Sequence, residues 1–132
     1  MTIRKLEEKD YELLCSWWKD WGWTAPSQDM LPDNGAGGLM VEVDGKPVFA
    51  GFIYVSNSKT CWIEWIISNK KHKENRKELL LLLVSSLTNI AQMSGGKYCL
   101  TMLKSKSLIQ VYSECGYMKG DCNSQEMIKI LN

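Results

Sequence analysis

The chain has 132 residues, with 16 basic against 15 acidic side chains and a net charge of +1. That length suits one domain spanning residues 1–132, and the balance gives no global electrostatic footprint for nucleic acid. Five scattered cysteines without CxxC spacing, and a single histidine, His72, argue against a metal centre, a disulfide framework or a Cys-His or Ser-His nucleophile system.

Residues 2–6 alternate weakly and predict a first strand, and residues 7–21 place Leu13, Leu14, Trp17, Trp18 and Trp21 at helical spacing. The charges Arg4, Lys5, Glu7, Glu8, Lys9 and Asp10 precede any apolar run, so no signal-peptide pattern is present and a cytoplasmic protein with reduced thiols is expected. Residues 24–38, rich in Pro, Gly and Asn, read as a long loop with one helical turn. Residues 39–43 and 47–55 around Asp44-Gly45 form the clearest hairpin signal, and a turn over 56–59 leads into a strand over 60–68.

A helix over 74–93 carries Leu80, Leu83, Val84, Leu87, Ile90 and Ala91 on one stripe. Its apolar stretch 79–84 is too short to cross a bilayer. Ser94-Gly95-Gly96 stops it. A strand over 98–103 follows, joined to the 61–67 segment by a crossover of the length a parallel pair needs. A short helix over 107–115 ends at Gly116, and residues 126–131 are expected to add a last edge strand.

The basic run 70–77, from Lys70 through Lys71, His72, Lys73, Glu74, Asn75 and Arg76 to Lys77, lies where a strand enters the long helix. Cations there oppose the helix dipole unless an anion intervenes, and a strand feeding a helix N-terminus is a common phosphate-holding geometry. The other reading is a solvated surface.

The order strand, helix, long loop, three antiparallel strands, long helix, strand, short helix, strand resembles the GNAT acetyltransferase superfamily over nearly the whole chain. The resemblance implies an α/β (α+β) fold with a mixed, mostly antiparallel sheet and a long helix crossing between two parallel strands. It implies acetyl-CoA as cofactor, its pyrophosphate held by the strand-to-helix turn. The family's pattern there, Arg or Gln, two residues, Gly, one residue, Gly or Ala, falls on His72, Asn75 and Lys77, a departure at all three positions. Lys73, Arg76 and their basic neighbours offer side-chain charge instead. Ile66 and Ile67 end the strand that in relatives lends main-chain groups to the pantetheine arm.

The segment Val111-Tyr112-Ser113-Glu114-Cys115-Gly116-Tyr117 resembles the family's tyrosine, spacer, glycine, aromatic signature, which implies Tyr112 as general acid toward the leaving thiolate. The alternative is a ring packed on the sheet with its hydroxyl in solvent. Glu64, alone among large apolar side chains in Trp62-Ile63-Glu64-Trp65, is a candidate general base if partly desolvated. Otherwise it faces outward on a polar sheet face. Glu42 is a weaker candidate near the acceptor.

Of the four tryptophans 17, 18, 21 and 23, Trp17 and Trp21 are expected inward. That leaves Trp18 and Trp23 to line an acceptor pocket or a dimer interface. The expected function is direct acetyl transfer to an amine on a small molecule or protein. The rival is an inactive GNAT-like scaffold that binds a protein through its tryptophan-rich face. Nucleic acid ranks third, since no second basic patch tracks a backbone.

Overall fold

The computed structural model describes residues 1–132. The hairpin is dictated locally: Asp44 and Gly45 both take positive φ, 52° and 75°, the twist that a two-residue turn needs to match its strands. It joins β2 (Gly38–Val43) to β3 (Lys46–Val55), which pairs antiparallel with β4 (Thr60–Ser68). β1 (Thr2–Lys5) adds antiparallel to β2, and β5 (Tyr98–Leu100) adds parallel to β4, giving one sheet in the order β1-β2-β3-β4-β5.

Strand alternation sorts the core into two layers. On one face Leu39, Val41, Phe49, Ile53 and Ile63 meet Leu83, Val84 and Leu87 of α2 (Arg76–Met93). On the other, Met40, Ala50, Phe52 and Ile67 meet Leu14, Trp17 and Trp18 of α1 (Tyr11–Asp20). α3 (Lys106–Glu114) packs against α2. Gly51 sets how closely α2 approaches, because a Cβ there would lie 2.5 Å from Ile66 Cδ1 and 3.0 Å from Leu87 Cδ1. No helix is long and apolar enough to cross a membrane.

One irregularity shapes everything downstream. Ala50 pairs with Ile67 but Phe52 with Glu64, so β4 spends an extra residue at Trp65-Ile66, and Trp65 takes φ 60°. This β-bulge shifts the phase of the strand. Ile63 faces α2 before it, while Trp65 and Ile67 pack on the α1 side after it.

Several expected boundaries shift. The first helix opens with a short 3-10 turn at Glu8–Asp10, where Asp10 takes the Glu7 N–H and a paired contact from Arg4 (2.9 Å to each oxygen). The long helix begins at Arg76 rather than residue 74, and β5 ends at Leu100 rather than 103. The expected strand over 126–131 does not form, and residues 118–132 are exposed without regular structure. Met127, Ile128, Ile130 and Leu131 fall on both faces of an extended chain, so no single apolar face exists to dock it.

Candidate active site

β4 and β5 pair only from Thr60 to Trp62 and Tyr98 to Leu100, then part. Side chains bridge the split: Thr101 Oγ1 donates to the Ile63 carbonyl (2.6 Å), and the Met102 N–H donates to Glu64 Oε1 (3.0 Å). The β4 edge beyond this point pairs with no strand on its β5 side. Ile66 and Ile67 lie along that stretch, Ile66 half-buried toward α2 and Ile67 buried toward α1.

Glu64 lines an open cleft of about 350 Å³ with Tyr54, Trp62, Trp65, Met102 and Glu126. Loss of hydration pushes its pKa above the ordinary carboxylate value; the Met102 N–H opposes this and the Glu126 charge adds to it. Its carboxylate therefore faces a ligand-sized space with raised basicity. Trp65 Nε1 donates to Tyr54 Oη (2.8 Å), which donates to the Met30 carbonyl (2.8 Å) and ties the cleft wall to the long loop.

Tyr112 lies in the α2-side core, 2% exposed, with no hydrogen-bond partner for its hydroxyl. Its hydroxyl thus does not reach solvent. Burial drives the phenol pKa well upward; nearby Thr101 opposes this and the Glu64 charge adds to it. The tyrosine, spacer, glycine, aromatic signature has a backbone cause. Gly116 (φ 94°) ends α3 while its N–H bonds Ser113 O and the Tyr117 N–H bonds Tyr112 O, both at 3.0 Å. That is a left-handed C-terminal cap, and it sets the Tyr117 ring edge-on to Tyr112 at 4.9 Å.

The turn from β4 into α2 is built around Arg76. Its guanidinium donates to the carbonyls of Asn69 (3.2 Å) and His72 (2.8 Å) and to Ser68 Oγ (2.7 Å), and it stacks 4.7 Å from the Phe49 ring centroid. His72 folds onto the same turn, with Nε2 2.8 Å from the Glu74 carbonyl. Asn75 caps the helix in the left-handed region, φ 53° and ψ 32°, a conformation open to Gly and tolerated by Asn. No backbone N–H from residue 73 to residue 78 donates to an acceptor in the chain. Lys77 leans away to pair with Glu114 of α3 (3.0 Å), and Lys73 stays in solvent. A row of free donors at a helix N-terminus fits a phosphate ligand.

Three expected acceptor residues lie elsewhere. Trp18 is buried, 3% exposed, because Leu14, Trp17 and Trp18 together form the inward stripe of α1. Trp21 is the half-exposed one, bonding the Ser68 carbonyl through Nε1 (2.9 Å). Trp23 stacks on Trp21 at 5.5 Å, beside the basic turn and away from the cleft. Glu42 pairs with Arg4 (3.2 Å) near the far end of β2, roughly 13 Å along the strand from the residue level with Glu64. Tyr54, Trp62, Trp65 and Glu126 were not among the expected site residues. The two tryptophans flanking Glu64 were the signal available, but only the bulge brings Trp65 onto the Glu64 face.

A mostly antiparallel sheet with one parallel edge strand, split after the crossover helix, matches solved structures across the whole chain. A probable acetyltransferase superposes with a TM-score of 0.75 at 12% identity, covering 100% of this chain and 99% of its own. The chain has the GNAT fold. A ribosomal-protein-alanine N-acetyltransferase from Brucella melitensis biovar Abortus 2308 follows the same GNAT path, TM-score 0.70 at 15% identity over 98% of both chains. A Mycobacterium tuberculosis protein solved in complex with CoA gives 0.71 at 12% identity, over 92% of this chain and 74% of that one. No family model and no curated protein matches the sequence.

Proposed function

We propose that this protein is an N-acetyltransferase that moves an acetyl group from acetyl-CoA to an amine by direct attack. The observation that carries the reading is the row of free N–H groups from residue 73 to residue 78 at the start of α2. Asn75 supplies the left-handed turn that glycine gives in the family's pattern, and the Lys77 ammonium is drawn off to Glu114. The residues therefore fit a pyrophosphate despite the missing glycines, and that fit supports the acetyl-CoA reading. The similar structures named as acetyltransferases, and the one solved with CoA, add support.

The turn holds the phosphates through main-chain donors, and Arg76 fixes the turn's shape by occupying its carbonyls. The open β4 edge near Ile66 and Ile67 has main-chain groups for an amide-bearing arm. Bound acetyl-CoA supplies an activated thioester, whose carbonyl carbon bonds to the amine nitrogen as its C–S bond breaks. Glu64 takes the proton that the nitrogen loses, and its raised pKa suits it to that exchange. The departing thiolate takes its proton from solvent, because Tyr112, the acid that the family resemblance offers, keeps its hydroxyl enclosed in the core and outside the cleft lining. No covalent enzyme intermediate is needed, so positioning carries most of the rate.

Calorimetric titration of acetyl-CoA and of CoA into the protein tests this reading. Binding of both, followed by amine-dependent thiol release, is expected. Absence of heat at millimolar ligand overturns it.

A further inference from the structure

The cleft holds a second carboxylate that the transfer step does not use. Glu126 comes from the segment after α3 and lines the cleft with Glu64, Trp62 and Trp65. Its charge reaches Glu64, whose proton affinity it raises. No lysine or arginine lines the cleft, and neither carboxylate forms an ion pair within the chain.

The other polar groups of the cleft are engaged with one another. Trp65 Nε1 donates to Tyr54, Tyr54 donates to the Met30 carbonyl, and the Met102 N–H donates to Glu64. The space therefore presents two carboxylates without a cationic partner, beside aromatic surface and few donors for an anion. Ammonium groups satisfy both demands, by charge-assisted hydrogen bonds to carboxylates and by lying against indole faces. The volume, about 350 Å³, suits a small molecule rather than a folded partner.

We infer that the acceptor is a small amine carrying a second positive charge, with Glu126 as the residue that selects it. Glu64 faces the reacting nitrogen and Glu126 holds the remote ammonium. The assignment rests on the acetyl-transfer reading for its chemistry, but the cation site can be read by binding alone.

The test titrates 1,4-diaminobutane, butylamine and 4-aminobutanoate into the full chain, followed by tryptophan fluorescence and calorimetry, with acetyl-CoA titrated separately. The diamine is expected to bind about tenfold more tightly than butylamine, with 4-aminobutanoate weaker than both. Glu126→Gln, on an exposed segment outside the core, should erase the diamine preference while leaving acetyl-CoA affinity unchanged. In turnover the variant should raise KM for the diamine more than KM for butylamine. Equal binding of 4-aminobutanoate, or a diamine preference that survives Glu126→Gln, overturns the inference. Diamine selectivity without acetyl-CoA binding overturns the acetyl-transfer reading and leaves the cation site standing. Acetylation of butylamine with no diamine preference does the reverse.

Discussion

Tyr112 hides a hydroxyl in the core with no partner, and a buried polar group left unpaired costs about 1–3 kcal/mol. Tyr112→Phe is therefore expected to raise stability by about 1 kcal/mol in thermal melts and to leave kcat for acetyl transfer unchanged. A lowered kcat at unchanged stability would return the acid's role to the phenol. Glu64 gives a pH signature of the opposite kind. The folded chain binds its proton more tightly than the unfolded chain does, so stability should fall as pH rises from about 4.5 through the raised folded value. Activity should climb through the same raised value as the base ionises. Glu64→Gln should flatten that fall in urea titrations and lower kcat/KM by about 100-fold or more.

The turn between β4 and α2 shows how an element substitutes for a sequence pattern. Glycines serve a phosphate turn by allowing left-handed backbone and close approach; here Asn75 adopts the left-handed conformation itself. Asn75→Gly should stabilise the fold by a few tenths of a kcal/mol and leave CoA binding intact or tighter, whereas Asn75→Ala should destabilise by about 1 kcal/mol. Calorimetry on both variants checks this. Arg76 works from inside the element. Its bonds to Asn69, His72 and Ser68 and its place over Phe49 mean that Arg76→Ala should cost about 2 kcal/mol and weaken CoA binding by loosening the turn. Arg76→Lys should rescue little, since one ammonium cannot reproduce the guanidinium fork.

At the scale of the whole molecule, two helices clamp a sheet that opens along one seam. Where β4 and β5 part, the α2-side core holding Tyr112 and the α1-side cleft holding Glu64 come close enough for the Glu64 charge to act on the phenol. The segment beyond Met118 contributes no buried residue. A chain ending at Met118 should keep its Tm to within about 2 °C by circular dichroism. It should nonetheless lose the diamine preference, because Glu126 goes with the segment.

Local chemistry made much of this readable. Asp44-Gly45 specified its hairpin, the start of β4 at Thr60 followed from the turn residues before it, and Gly116 marked the end of α3. Glu64 stood out as a lone carboxylate among apolar residues, the basic turn as cations at a helix start, and Tyr112 through the 111–117 signature. What lay outside the sequence was phase and proximity. A bulge at Trp65 inserts one residue without changing composition, yet it decides which side chains share the Glu64 face. The burial of Trp18 depended on how α1 rolls against Met40 and Phe52. Glu126, 62 positions from Glu64 (126 − 64), reaches the cleft only because the chain folds back. Turn and cap preferences act over a few residues and are written in order along the chain. A strand's phase and a cleft's walls are set by contacts between distant segments, and only the tertiary structure decides those.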